Sequence, residues 1–215
     1  MSRTRLNRYA VCNHYISHDD TPTLEEVLRT LGKAALQAEE RITEVAKTQD
    51  GDYIGEVFAE ETILIEDVLG CAFVATQSYI TDIVSRLKWL YHRVERDGHC
   101  LTTTDASKLA LINSYSDIVP GTAYTQIQVI NAFANYFKHH DEWQKWDNAT
   151  SQSAVTVGIL RAVGADENSS DNCRKGLTAL GIDRAFDVYT MANIVARWHS
   201  NLSNAYKDEL KRFSP

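Results

Sequence analysis

The 215-residue sequence predicts an all-α fold. Apolar residues return every three or four positions through several long segments, the spacing of one helix face. Glycine and proline, which tight turns consume, number only 10 and 3. No run alternates apolar and polar residues for more than a few positions, so no strand is expected. The implied architecture is one domain over residues 1–215, built from six to eight helices with long antiparallel members. Residues 1–20 read as a loosely packed N-terminal segment.

The first clear helix starts at Thr21-Pro22, where Thr suits the cap and Pro the first helical position. Leu24, Val27, Leu28, Leu31, Ala35 and Ala38 hold its period to about residue 47. A second helical region spans 53–96, with Ile80, Ile83, Val84, Leu87 and Leu90 on its inner face. It is long for one globular helix, and a kink or break is expected near Gly70. A short helix follows over 104–118, then a Pro120-Gly121 turn and a helix over 122–147. Further helices are expected over 151–163, 177–180 and 184–212. The polar stretch 164–172 between them reads as a mobile loop.

Net charge is −7, from 22 basic and 29 acidic side chains. A protein that coats nucleic acid needs the opposite sign, so any such contact must come from a local basic patch. Cys12, Cys71, Cys100 and Cys173 are widely spaced with no CxxC pair. That pattern fits free, mostly buried thiols in a reducing cytoplasm. Glu66, Asp67, Gln77 and Asp82 interrupt the longest apolar-rich stretch, 63–83, which argues against a membrane span. The arginines at the N-terminus are not followed by the apolar core of a signal peptide.

The helix over 122–147 carries the most distinctive residues. Ile127, Ile130, Phe133, Ala134 and Phe137 share one face, and Asn131, Asn135, Lys138, His139 and Glu142 share the other. Asn135 and His139 are one turn apart, with His140, Trp143 and Trp146 nearby. An amide, an ammonium and two imidazoles at one helix end can bind a phosphate and move protons. The plainer reading is a solvated face with Lys138–Glu142 and Asp141–Lys145 ion pairs.

The segment Ala134-Asn135-Tyr136-Phe137-Lys138-His139-His140 resembles the motif helix of HEPN-type domains. The family's motif is Arg, usually followed by a polar residue such as Asn, then three to five residues, then His. The resemblance implies a helical bundle acting on RNA, often as a metal-independent ribonuclease of bacterial toxin or phage-defence systems. Asn135 takes the polar position, and His139 or His140 the histidine. No cofactor is implied. A homodimer is, with its motif helices facing each other. The family's Arg falls at Ala134, so another basic residue must supply the cation, or the protein binds without cutting. The alternative is a non-catalytic helical partner in a toxin or defence operon.

A second candidate is the basic end of the long helix. Arg86, Trp89, Arg93 and Arg96 share a stripe flanked by Lys88 and His92. Guanidinium groups clasp phosphates and Trp can stack on a base. Were this stripe to meet the motif helix, Arg86 or Arg93 would replace the missing cation. Arg8–His14, Arg86–His92 and Arg93–His99 also match the Arg-to-His spacing, but Arg86 and His92 lie about 240° apart around a helix. A surface stripe of Arg–Trp packing is the plainer reading. His14-x3-His18-Asp19-Asp20 has metal-ligand spacing, although a lone His pair beside a turn is more often structural. The pairs Glu39-Glu40, Glu60-Glu61 and Glu66-Asp67 raise a Mg²⁺-dependent nucleotide hydrolase without its repeating carboxylate pattern.

Overall fold

The computed structural model describes residues 14, 17–48, 51–96, 98, 107–142 and 145–212. Among them the fold is all-α, with seven α-helices and no strand. Trp143, His99, Arg8, Cys12 and Cys100 lie outside the described residues, as does most of the segment 1–20. Of the other cysteines, Cys173 is a buried free thiol and Cys71 an exposed one. No helix among the described residues is long and apolar enough to cross a membrane.

Helix α1 (Thr21–Thr48) and helix α2 (Asp52–Arg96) form an antiparallel hairpin. Asp20, at the start of α1, meets Arg86 near the end of α2 at 3.1 Å. Arg41, near the end of α1, meets Glu61 near the start of α2 at 2.5 Å. Leu24, Leu28, Ala35 and Ala38 from α1 pack against Ile65, Leu69, Ala72 and Phe73 from α2, all essentially excluded from solvent. Burial of these side chains, each worth roughly 1.5–3 kcal/mol for the larger ones, holds the hairpin.

The remaining helices are α3 (Lys108–Asn113), α4 (Gln126–His139), α5 (Ser151–Ala162), α6 (Asn172–Ala179) and α7 (Met191–Lys211). Three short 3₁₀ turns, His140–Glu142, Trp146–Asn148 and Ala185–Thr190, join them. Phe133 of α4 stacks on Phe73 of α2, ring centroids 5.1 Å apart. One core runs from α1 through α2 and α4 to Trp198 and Leu202 of α7.

Several sequence expectations change. Helix α2 runs 45 residues unbroken, and Gly70 marks a packing notch instead of a kink. A Cβ at 70 would overlap the ring of Phe137, so the glycine lets α4 lie close on α2. Among the described residues of 104–118, which begin at 107, the expected helix forms at Lys108–Asn113. Ser107 caps it, and Ser114 leaves the helical region at its far end. The segment expected to begin the last helix at 184 winds as a 3₁₀ turn first.

Helix α6 starts earlier than its apolar residues suggest. The Glu66 carboxylate of α2 accepts the backbone N–H groups of Cys173 (2.8 Å) and Arg174 (3.1 Å), satisfying orphan donors at its N-terminus. The stretch 164–172 is a pinned loop. Asn172 is buried, and its side chain bonds both the N–H and the carbonyl of Asp166 and the hydroxyl of Tyr136.

Candidate functional site

Helix α4 begins at a capping box. Thr125 accepts from the Gln128 N–H, and Gln128 accepts from the Thr125 N–H. The preceding residues, expected to be helical from 122, instead form a bridged loop in which the Val119 N–H meets the Tyr124 carbonyl at 2.8 Å. At its other end α4 stops at His139 instead of running to 147. The His140 Nδ1 lies 3.2 Å from the Phe137 carbonyl, taking up a last-turn acceptor, and the chain tightens into the 3₁₀ turn His140–Glu142. It then returns through Trp146–Asn148 into α5.

That turn opens a cleft of about 650 Å³ between the end of α4 and the start of α5. Asn135, His139, Glu142 and Lys145 line one side, and Asn148, Thr150, Ser153 and Thr156 give the other a polar wall. Trp146, 6% exposed, forms part of the lining. Its backbone N–H donates to Glu167 at 2.8 Å, and its ring meets Tyr136 edge-on at 6.0 Å. His139 is half exposed, with Nδ1 3.3 Å from the Glu142 carboxylate. Held this way, its other ring nitrogen is the one left for a ligand.

Gln77 of α2 was not singled out by its sequence position, yet it organises this end of α4. Its amide nitrogen donates to Asn131 Oδ1 at 2.6 Å and to Asn135 Oδ1 at 2.9 Å. Its carbonyl oxygen accepts from Lys138 Nζ at 2.7 Å. The face expected to be solvated therefore carries an interhelical network, and Lys138 bonds to Gln77 in place of the Glu142 partner expected for it. Partial desolvation, and then the nearby Lys108 ammonium, hold the Lys138 pKa below its ordinary value. A polar residue in the inward row of α2, between Phe73 and Ile80, was the available signal, because a buried amide needs partners.

No protein-family model matches the chain, and no curated protein or solved structure does either.

The other expected site residues are dispersed. His140 packs on Tyr136 and Phe137, ring centroids 5.2 and 6.4 Å away, and does not line the cleft. Ala134 is fully buried. Phe137 meets Gly70, Phe133 meets Phe73 and Asn131 meets Gln77, so α4 runs antiparallel to α2. Arg86 and Arg93 stand about 14 and 24 Å beyond Gln77 in the direction away from His139. Within one chain the two candidate sites do not meet.

Arg86 is committed to structure, pairing with Asp20 at 3.1 Å and Asp82 at 2.9 Å. Trp89 is 44% exposed, with the Arg93 guanidinium 5.6 Å from its ring centroid, a cation–π stack. His18 pairs with Asp20 at 3.0 Å, and Asp19 caps the Thr21 N–H at 2.9 Å. Burial alone would raise the Asp19 pKa, but the Thr21 bonds outweigh it and hold the carboxyl below its ordinary value. Among the described residues no group of three His, Cys, Asp or Glu side chains could hold a metal ion. Three of the six carboxylates behind the nucleotide-hydrolase reading are engaged elsewhere: Glu39 with Arg174, Glu61 with Arg41, and Glu66 at the α6 N-terminus.

Proposed function

We propose that this protein is a HEPN-like, RNA-directed endoribonuclease of the toxin or defence type, with the α4–α5 cleft as its active site. The observation that supports this most is His139, which lines an open cleft with Asn135 and Lys145 while Glu142 holds its Nδ1. In this reading Nε2 of His139 takes the proton from a ribose 2′-hydroxyl. The 2′-oxygen bonds to the adjacent phosphorus, and the bond from phosphorus to the 5′-oxygen breaks. The leaving oxygen takes a proton from water, so the products are a 2′,3′-cyclic phosphate and a 5′-hydroxyl. Lys145 supplies the positive charge that Ala134 does not, Lys138 being bonded to Gln77 outside the cleft lining, and Asn135 orients the phosphate.

The test is incubation of the purified chain with total RNA beside a His139→Ala/His140→Ala double variant and a Glu142→Gln variant. Cleavage by the parent, abolished in the double variant and reduced in Glu142→Gln, is expected. Equal cleavage by parent and double variant, or none by either, removes the catalytic reading.

A second reading is a non-catalytic helical partner. It draws on Ala134, which is fully buried where the motif would place an arginine. RNA retention without cleavage, unchanged in the His139 variant, would favour it.

A further inference from the structure

Helix α2 presents one exposed stripe to solvent along its whole length, on the side turned away from α1 and α4. Its first part carries Glu56, Glu60, Leu64 and Asp67, with Tyr53 at the tip and no lysine or arginine before residue 86. Its middle is small and uncharged, with Cys71, Ser78 and Ser85. Its last part carries Trp89, Arg93 and Arg96. Each of these side chains is exposed, and steps of three, four or seven residues keep them in register on one face. Asp82, the one carboxylate on the stripe between 68 and 92, pairs at 2.9 Å with Arg86, a guanidinium it shares with Asp20.

Charge is therefore segregated along a single rod about 67 Å long at 1.5 Å per residue. Glu56 and Arg93 stand almost equally far from its midpoint, on opposite sides. Two copies laid side by side in the same direction would set glutamates against glutamates and arginines against arginines. Laid in opposite directions about a two-fold axis, each acidic half faces the partner's basic half, twice over. Cys71 and Ser78 near the axis leave room for close approach, while Leu64 and Trp89 lose exposed apolar surface. A second copy of this chain carries the complement with the matching spacing by construction.

We infer that this stripe is a self-association surface on which two copies of the chain pair through α2 in antiparallel register. It goes beyond the proposed cleavage reaction and does not depend on it, and it differs from a dimer formed through facing motif helices.

Sedimentation velocity on the full chain tests it. The chain sediments as a dimer in low salt and shifts toward monomer as salt shortens the Debye length from about 10 Å at 0.1 M to about 3 Å at 1 M. Glu56→Lys/Glu60→Lys weakens the dimer by about tenfold or more, as does Arg93→Glu/Arg96→Glu, because each sets like charges together at both ends. An equimolar mixture of the two variants recovers the dimer, since opposite charges then meet at both ends. Circular dichroism of each variant alone confirms that it stays folded. A chain that is monomeric in low salt overturns the inference. So does a dimer indifferent to both charge reversals, or variants whose mixture does not reassociate.

Discussion

Gln77 of α2 donates to Asn135 of α4 at 2.9 Å across 58 residues of sequence, and the same side chain accepts from Lys138. One amide thus ties α4 to the longest helix and holds the Lys138 ammonium. Replacing Gln77 with Leu keeps the volume and removes every one of these bonds. Asn131 and Asn135 lose their donor, which costs about 1–3 kcal/mol for part-buried acceptors. Thermal unfolding of the variant should show that loss. Unchanged stability would mean that the network contributes nothing.

Gly70 and Phe137 make a second, steric tie. Gly70→Ala drives a methyl into the Phe137 ring and should destabilise by about 1–3 kcal/mol. Adding Phe137→Leu should recover part of that loss, a coupling that a double-mutant cycle would measure. Additive costs would place the strain elsewhere.

Arg86 belongs to the frame, not to the cleft. Its guanidinium fixes the entry to α1 through Asp20 while also holding Asp82. Arg86→Ala should cost about 1 kcal/mol, because solvent at the half-exposed Asp82 and the partly exposed Asp20 screens both pairs. Hydrogen exchange over residues 21–28 should quicken, and on the proposed reading RNA cleavage per folded molecule should not change. A selective loss of RNA cleavage by the folded variant would place Arg86 in the site after all.

Glu66 gives a pH signature. Burial raises its pKa above the ordinary 4.5, and the two backbone N–H bonds from α6 only partly offset that rise. The folded state therefore binds this proton more tightly than the unfolded chain. Stability from that proton is present below 4.5 and is lost as pH rises through the raised folded value. Glu66→Gln does not titrate. The parent's thermal midpoint should therefore fall relative to the variant's as pH climbs from about 4 toward neutrality. Parallel curves would contradict this.

Helix class and the main inward faces were legible because periodicity reports burial directly, as at Leu24, Leu28, Ile83 and Leu87. Helix ends were less so. Those of α3 and α6 are set by Ser107 and by Glu66, and the second is a tertiary contact more than a hundred residues distant. The cleft was half legible. Asn135 and His139 stood out by spacing, whereas Lys145, Ser153 and Thr156 join them only because the chain turns back after His140. Gln77 looked like an interruption of an apolar run and proved to be the residue that organises it.

The seat of Phe137 at Gly70 has a consequence for motion. Helix α4 cannot creep along α2, because the ring must lift out before it can travel. A jump of one turn, about 5.4 Å, would bring it against Glu66 or Val74, neither of which leaves a hollow. There is one resting place, so His139 keeps its station at the mouth whatever happens along the rest of α2. On the proposed reading, control would then act through what enters the mouth, since the helix behind it has nowhere to slide.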